Sequence, residues 1–501
     1  MEDIREKRAK LNIEISLLGQ LITLICGLIV PRLLLGAFGS EAYGATASIS
    51  QFLSYITLLE GGVGGVARAA LYRPLAENDD ETISAVVAEI KRFFNIIGLV
   101  FAIYVIILAA SYYSISHVQC FDWMSTFLLV IVISISTFAQ YFIGISYSVL
   151  LQAAQKTYIT QMIYSGATIL NMLLTVVLVK VGASLIAVKF ISSLVFAIRP
   201  FLTWMYVRKN YNIMTIRNTN KQYLTQKWTG LGQHLAYFLH NNTDIAVLTI
   251  LENLRSVSIY SVYNMVVANV QNFSSSFATG MEALFGDMLA KNEKELFNTT
   301  FSKYEALISM MSCILLGTTT ILIVPFVKLY TSSITDANYS RPFFALLLII
   351  SALFYCWMMP YDKTVLAAGH FKQTRFGPYG EAIINISFSV VLVIKWGLIG
   401  VAIGTIAATL YRYIYYAVYL TNNICYRPLK LFIRRFFFNC IVLTVIVIPG
   451  LILNKYISID NYFSWILSGV AVCCYSLIVT LAMNFAVYRE DTIGALSIIK
   501  K

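Results

Sequence analysis

The chain has 501 residues, of which 58% are hydrophobic and 12% are charged, and its mean hydropathy is +0.73. Soluble domains carry roughly 25% charged residues, so this composition excludes a soluble protein and predicts one that crosses a membrane many times. The formal charge of +12 would suit an anionic partner, but membrane proteins also carry cytoplasmic Lys and Arg for topology alone. The eight cysteines show no C-x-x-C pair and are predicted to be buried, reduced thiols.

Apolar runs of about 20 residues, the length that spans a bilayer, follow one another along the whole chain. They are continuous rather than alternating, so they predict helices and not the strands of a barrel. The first run follows four basic residues and is too long for a signal peptide, so it is predicted to be a spanning helix. The fourteen runs fall near residues 12–36, 43–68, 93–112, 123–149, 158–179, 184–207, 231–251, 257–284, 304–327, 343–366, 377–394, 400–420, 436–454 and 464–487.

The distribution of basic residues predicts the orientation of these spans. With the N-terminus inside, 26 of the 37 Lys and Arg residues fall on the inner side, 7 in outer loops and 4 within spans. Cytoplasmic loops carry an excess of Lys and Arg, so both termini are predicted to be cytoplasmic. The same excess accounts for most of the net charge without any ligand.

A weak internal repeat relates the two halves of the chain. Asn171 and Asn385 each stand five residues before an identical Val-Val-Leu-Val, and the segments that begin at Leu151 and Val365 match at the same offset of 214 residues. The copies lie on the fifth and eleventh predicted spans. Because six spans separate them, both point the same way, and the halves are predicted to be parallel repeats.

These patterns predict an all-α polytopic membrane protein with about 14 transmembrane helices, built as two parallel six-helix bundles plus two C-terminal helices. The predicted domains are an N-terminal bundle at 1–207, a cytoplasmic linker at 208–229, a C-terminal bundle at 230–420, and helices 13 and 14 with a cytoplasmic tail at 421–501.

Polar residues at membrane depth are the first candidates for a functional site. His240, Asn241 and Asp244 belong to five consecutive polar residues in the seventh span. Such a segment cannot face lipid without leaving polar groups unsatisfied, so it is predicted to line a cavity. Hydrogen bonding between helices is the alternative.

Other charged residues lie within or beside the spans. Arg199 and Arg412 occupy near-equivalent positions in the sixth helix of each half. Arginine binds phosphate through its bidentate fork, but each of these side chains could also reach the inner interface. Asp362 and Lys363 lie in the tenth span, where they are candidates for a cavity or for pairing with other buried charges.

The second span ends in a glycine-rich segment between Glu60 and Arg68, where four glycines permit either a hinge or close helix packing. Further along, Tyr411, Tyr415 and Tyr419 repeat at every fourth position of the twelfth span. This tyrosine ladder suits either sugar rings or the aromatic belt of a membrane interface.

The sequence contains no Gly-rich phosphate loop and no zinc-ligand spacing, and it has only four histidines. Nothing therefore predicts an enzyme, a resident cofactor or a nucleic-acid partner. Any transport is expected to be secondary, and H⁺ and Na⁺ are both open as coupling ions.

The first two spans carry a family resemblance. Pro31-Arg32-Leu-Leu-Leu-Gly36, Phe38-Gly39-Ser-Glu-Ala-Tyr43-Gly44 and the Leu59-Glu60-Gly-Gly run, followed by Arg68 to Pro74, resemble the polysaccharide-exporter branch of the multidrug/oligosaccharidyl-lipid/polysaccharide (MOP) superfamily. This branch comprises Wzx-type flippases of O-antigen and capsule repeat units.

The resemblance implies a MATE-like fold in which two bundles surround a central cationic cavity, in the bacterial cytoplasmic membrane. It implies an undecaprenyl-diphosphate-linked oligosaccharide as substrate, and the polysaccharide polymerase and chain-length regulator as partners beside the membrane lipids. The diphosphate and any acidic sugars would then meet basic residues placed by depth, namely Arg32, Arg68, Arg199, Lys363 and Arg412.

Two alternatives remain open within the same fold. A cation-coupled multidrug exporter typically keeps a carboxylate deep in helix 1, where this chain has only Glu14, near the inner end. A lipid II flippase would work by a similar mechanism. A membrane glycosyltransferase or polymerase is disfavoured, because the longest outer loop, 328–342, is short.

Overall fold

The computed structural model describes residues 2–61, 63–214, 231–278, 281–425, 427–454 and 459–499. Within these ranges the chain forms helices and connecting turns and no strand, so the predicted all-α fold is confirmed. The predicted linker at 208–229 lies largely outside them. The α-helices are α1 (Glu2–Ser54), α2 (Val63–Glu77), α3 (Asp80–Ser116), α4 (Trp123–Ala139), α5 (Ile145–Ala153), α6 (Thr157–Lys180), α7 (Leu185–Asn210), α8 (Leu231–Leu251), α9 (Leu254–Ser276), α10 (Met281–Ala290), α11 (Lys294–Tyr330), α12 (Pro342–Ala367), α13 (Phe376–Trp396), α14 (Leu398–Asn423), α15 (Leu429–Asn454), α16 (Tyr462–Val487) and α17 (Arg489–Ile499).

In the described chain, 11 helical segments are long and apolar enough to cross a membrane, and the shortfall from fourteen has local causes. The first two predicted spans run together through α1, which bends at Gly39, where φ is 81°, a conformation that glycine adopts readily. The predicted span 257–284 is divided between α9 and α10. At the end of α9, the hydroxyls of Ser275 and Ser276 donate to backbone carbonyls three residues back, which competes with continuing the helix. The predicted span 231–251 corresponds to α8, in which most side chains before Asn242 lie outside the described residues.

The chain forms two compact units. The first contains Met1–Phe238 with Asn253–Ser258, and the second contains Leu239–Glu252 with Ile259–Lys501. In the first unit α1 packs along α6, α7 packs against α4 and α6, and the rings of Phe94, Phe101 and Tyr112 are buried in the core. In the second unit α14 packs against α12 and α13, while α11 packs against α12, α15 and α16.

The internal repeat extends to the backbone. After α5, the N–H groups of Ala154, Gln155 and Lys156 donate to the carbonyls of Leu150, Gln152 and Leu151. After α12, residues 368, 369 and 370 make the same three bonds to residues 364, 366 and 365, at the offset of 214. Gln155 and Gly369 both have positive φ, 57° and 68°. The two units therefore enter the helices that carry the repeated Asn through the same turn.

The close approach of α13 and α14 generates a test of the packing. A methyl group added at Gly400 would overlap the backbone of Leu392, whereas one added at Gly469 in α16 would lie 3.6 Å from the nearest atom, Leu322 Cδ1. Overpacking typically costs about 1–3 kcal/mol. We expect Gly400→Ala to lower the thermal unfolding temperature in detergent and Gly469→Ala to leave it unchanged or slightly raised. Equal unfolding temperatures for the two variants would contradict this packing.

Candidate functional site

The most highly charged group among the predicted residues surrounds Arg412 in the second unit. Its Nη1 donates to Oε2 of Glu381 at 2.9 Å, and its Nη2 donates to Oδ1 of Asp362 at 2.8 Å. The guanidinium also lies 5.1 Å from the ring centre of Tyr416. Glu381 is fully buried and Arg412 is 8% exposed. Three helices, α12, α13 and α14, therefore each contribute one charge to a buried cluster in which the arginine meets two carboxylates.

The equivalent arginine of the first unit has different surroundings. Arg199 and Arg412 each lie fourteen residues after the first residue of α7 and α14. At the 214-residue offset of the repeat, the positions of Glu381 and Asp362 correspond to Ala167 and Ser148. The first unit therefore lacks both carboxylates at the matching places.

Arg199 instead lies against aromatic rings. Its guanidinium carbon is 4.9 Å from the ring centre of Tyr164 and 5.0 Å from that of Phe196, and its Nε donates to the Phe196 carbonyl at 3.3 Å. Among the described residues no carboxylate lies within ion-pair distance of it. An arginine held by rings keeps its charge and its Nη donors for an anion.

The other predicted residues of the first unit lie on α1, the turn that follows it, and α2. Arg68 donates from Nη1 to Oε1 of Gln152 at 3.0 Å. Because this amide is neutral, the contact does not compensate the positive charge of Arg68. Glu60 accepts a hydrogen bond from the Tyr141 hydroxyl at 2.7 Å, and Arg32 on α1 is exposed.

Asp244 is the centre of a second buried cluster, in α8. It is 4% exposed, and its carboxylate accepts a hydrogen bond from the Tyr260 hydroxyl at 2.9 Å. Oγ1 of Thr405 lies 3.2 and 3.1 Å from its two oxygens, and the same Oγ1 accepts from Nδ2 of Asn385 at 3.4 Å. The repeated Asn of the second half, predicted to contribute packing, is thus bonded into the environment of Asp244.

Two buried side-chain oxygens of α13, one turn apart, lack a donor among the described residues. Oδ1 of Asn385 and Oγ of Ser389, one turn further along α13, are both buried and have no hydrogen-bond partner in the part of the chain that the structure describes. Buried polar atoms rarely remain unpaired. A carboxylate and neutral oxygens are the ligands that a hard cation prefers, and a carboxylate can also take up a proton.

Three predicted residues remain, His240, Asn241 and Lys363. His240 and Asn241 belong to α8, but their side chains lie outside the described residues. Lys363 follows Asp362 on α12 yet does not join the Arg412 cluster, because its Nζ lies 3.5 Å from Oε2 of Glu282 on α10.

One buried ionic cluster escaped the sequence analysis. Glu305 on α11 is 3% exposed and accepts hydrogen bonds from Arg427 and Arg435, each at 2.7 Å, and from the Tyr361 hydroxyl. Arg435 also pairs with Asp491 on α17. The available signal was a carboxylate inside the predicted span 304–327, but Glu305 lies near its end, where an interfacial position is expected.

The fold is similar to that of solved transporters. "Lipid II flippase MurJ, inward closed conformation" matches with a TM-score of 0.70 and 16% identity, covering 95% of this chain and 99% of that chain. A multidrug resistance MATE-family transporter of the MOP superfamily, inward-facing, gives 0.62 and 14%, covering 80% and 95%. The eukaryotic MATE transporter AtDTX14 gives 0.58 and 12%, covering 83% and 96%. At such identities the likeness establishes the fold, and the expected MATE-like architecture is confirmed.

No protein-family model matches the sequence, and no curated protein matches it.

The geometry of the Arg412 cluster predicts that substitutions of Glu381 and Arg412 do not lower the stability independently. Glu381→Gln and Arg412→Gln each leave a charge of the pair without its main partner, and breaking a buried pair costs about 3–5 kcal/mol. We expect both variants to unfold at markedly lower temperature in detergent. The double variant should recover much of the loss, since Asp362, whose side chain is 21% exposed, can be hydrated. Losses that simply add in the double variant would show that the two residues do not act as a pair.

Proposed function

We propose that this protein is a flippase that moves undecaprenyl-diphosphate-linked oligosaccharide repeat units across the bacterial cytoplasmic membrane by alternating access. Its substrate would serve surface polysaccharide synthesis, for O-antigen, capsule or exopolysaccharide. The proposal extends the likeness to a lipid II flippase and to MATE transporters with the sequence resemblance in the first two spans. Both termini would be cytoplasmic, and the polymerase and chain-length regulator would be partners.

The proposal depends on the different surroundings of two equivalent arginines, Arg412 and Arg199. Arg412 is neutralised by Glu381 and Asp362, so we assign it a structural role. Within the part of the chain that the structure describes, the Arg199 guanidinium contacts rings and one carbonyl, so we assign it to the diphosphate. A doubly charged phosphate group needs charge-assisted donors, and arginine offers them in a planar fork.

Arg68 and Arg32 extend this assignment along the first unit. Arg68 is half-buried and its contact to Gln152 leaves its charge uncompensated, while Arg32 is exposed on α1. Together with Arg199 they give the first unit three basic residues for one anionic head group. In this assignment the second unit supplies no arginine to the substrate.

The second unit would instead bind the coupling cation at the Asp244 cluster. Its carboxylate, the Thr405 hydroxyl and the unpaired oxygens of Asn385 and Ser389 supply only oxygen ligands. Coupling ions of secondary transporters bind at such interior oxygen sites. A proton on Asp244 would serve the same end.

A multidrug exporter is the less favoured alternative. A multidrug exporter is expected to have a carboxylate deep in helix 1. The Glu14 side chain is instead 58% exposed, and its Oε1 lies 3.9 Å from Nζ of Lys10. A lipid II flippase would also bind a diphosphate, and its substrate would differ in the glycan. The two flippase hypotheses are therefore distinguished by which substrate accumulates.

The function predicts what accumulates in cells without the protein. Depletion should cause undecaprenyl-diphosphate-linked repeat units to accumulate on the cytoplasmic side, measured by mass spectrometry of extracted lipids, with surface polysaccharide lost. Accumulation of lipid II instead would favour the lipid II alternative. Drug sensitivity with normal glycan would favour the exporter.

Complementation of depleted cells tests the role of Arg199. A charge-assisted hydrogen bond is worth about 1.5–3 kcal/mol, so Arg199→Gln should weaken substrate affinity about ten- to hundredfold at normal protein level. Ala167→Glu places a carboxylate at the position equivalent to Glu381 and should impair transport similarly, whereas the uncharged Ala167→Gln should not. Normal export by Arg199→Gln would refute the assignment.

The cation assignment predicts a change in ion dependence. Asp244→Asn removes the carboxylate that the described residues contribute to the cluster, so transport should become slow and insensitive to the Na⁺ or H⁺ gradient that drives the wild type. Asn385→Leu removes one oxygen ligand and should raise the Na⁺ concentration required for half-maximal transport. Asn171→Leu, at the repeated position of the first unit, is the matched control. A wild-type gradient response in Asp244→Asn would disprove the assignment.

A further inference from the structure

The tyrosine ladder of α14 lines a groove on the second unit. Its volume is about 390 Å³, and Ile414 and Val418 form its apolar floor with 44% and 37% of their surfaces exposed. The groove is lined by Tyr411, Ile414, Tyr415, Val418, Tyr419, Asn422 and Asn423. Its composition changes along the helix from aromatic and aliphatic to polar.

Glycines on α13 hold the ladder in place. An added methyl group would lie 2.5 Å from the Tyr411 hydroxyl at Gly380 and 2.7 Å from the Tyr415 ring at Gly377. The two rings can therefore lie directly on the backbone of α13. The groove depends on these glycines, because any side chain there would displace the tyrosines.

The polar end of the groove lies beside the turn between α12 and α13. The Tyr419 hydroxyl and Nδ1 of His370 are 2.9 Å apart, which joins the ladder to this turn. The turn continues with Lys372 and Arg375, both exposed, and the Arg375 guanidinium lies 5.0 Å from the ring centre of Phe376. Neither cation forms an ion pair within the described residues. The turn therefore presents two uncompensated positive charges at one end of an aromatic and aliphatic groove.

We propose that this groove binds one anionic phospholipid of the inner leaflet. Its phosphate would meet Lys372 and Arg375, and an acyl chain would lie over Val418 and Ile414 along the tyrosines. The charge distribution of the loops predicts that this turn is cytoplasmic, the side on which anionic lipids attract basic residues. Tyrosines at such a depth also match the head-group region.

Charge complementarity selects an anionic head group over a zwitterionic one. A phosphatidylcholine head group carries its own positive charge and gains little from two cations, whereas phosphatidylglycerol has a net charge of −1. The proposal is independent of the flipped substrate, since no residue of the groove belongs to the Arg199 site or the Asp244 cluster.

Native mass spectrometry of the full-length protein tests the proposal. Delipidated protein in detergent is titrated with dioleoyl phosphatidylglycerol and, separately, with dioleoyl phosphatidylcholine. Wild type should retain phosphatidylglycerol preferentially. Lys372→Gln/Arg375→Gln should weaken its binding about tenfold and abolish the preference. Lys430→Gln removes an exposed cation on the same predicted side and should behave as wild type. Val418→Trp fills the groove and should weaken both lipids.

Four outcomes would overturn the proposal. Equal retention of the two lipids by wild type would exclude head-group selection. An unchanged preference in Lys372→Gln/Arg375→Gln, or an equal loss in Lys430→Gln, would show that binding follows overall charge rather than this groove. Binding of undecaprenyl phosphate without phosphatidylglycerol would assign the groove to the substrate lipid.

Discussion

The helix packing of the second unit depends on the free-energy cost of burying charged side chains. In hydrocarbon every ionised group needs a partner, and two of the most buried carboxylates of this unit have arginine partners. Glu381 pairs with Arg412 across α13 and α14, and Glu305 pairs with Arg427 and Arg435. These contacts fix how α11 to α15 pack within the unit. Asp244 differs in that, among the described contacts, the hydroxyls of Tyr260 and Thr405 lie against its carboxylate.

The two units share one turn and one arginine position, and the residues around that arginine differ. The turns at Gln155 and Gly369 use the same hydrogen bonds, and the arginines of α7 and α14 occupy the same helical position. Only in the second unit is that arginine met by carboxylates. One unchanged side chain therefore serves as a structural ion partner in one unit and, in our proposal, as an anion ligand in the other.

Sequence reasoning identified what depends on long apolar runs and on charge counts along the chain. The helices and their approximate bounds follow from hydropathy, because a span has a fixed length in a bilayer. Partners such as Tyr260 and Thr405 did not follow, because helix rotation decides which hydroxyl faces Asp244. The same limit applies to Arg412, for which the sequence left phosphate binding and a position at the inner interface both open. Its partner Glu381, on the neighbouring helix, is fully buried in the structure.

The polar frame of the Asp244 cluster is itself partly duplicated. Asn171 and Thr175 of the first unit stand at the positions of Asn385 and Ser389, and both are buried. The neutral oxygens are thus common to both halves, whereas the carboxylate that would make them a cation site comes from α8. The first predicted span has no acidic residue beyond Glu14, near its start. Among the described residues, the buried carboxylates Glu381, Glu305 and Asp244 lie in the second unit, whereas Arg199 of the first unit contacts rings and a carbonyl. This separation is what a carrier needs if a cation and an anionic head group are to bind without neutralising each other's site.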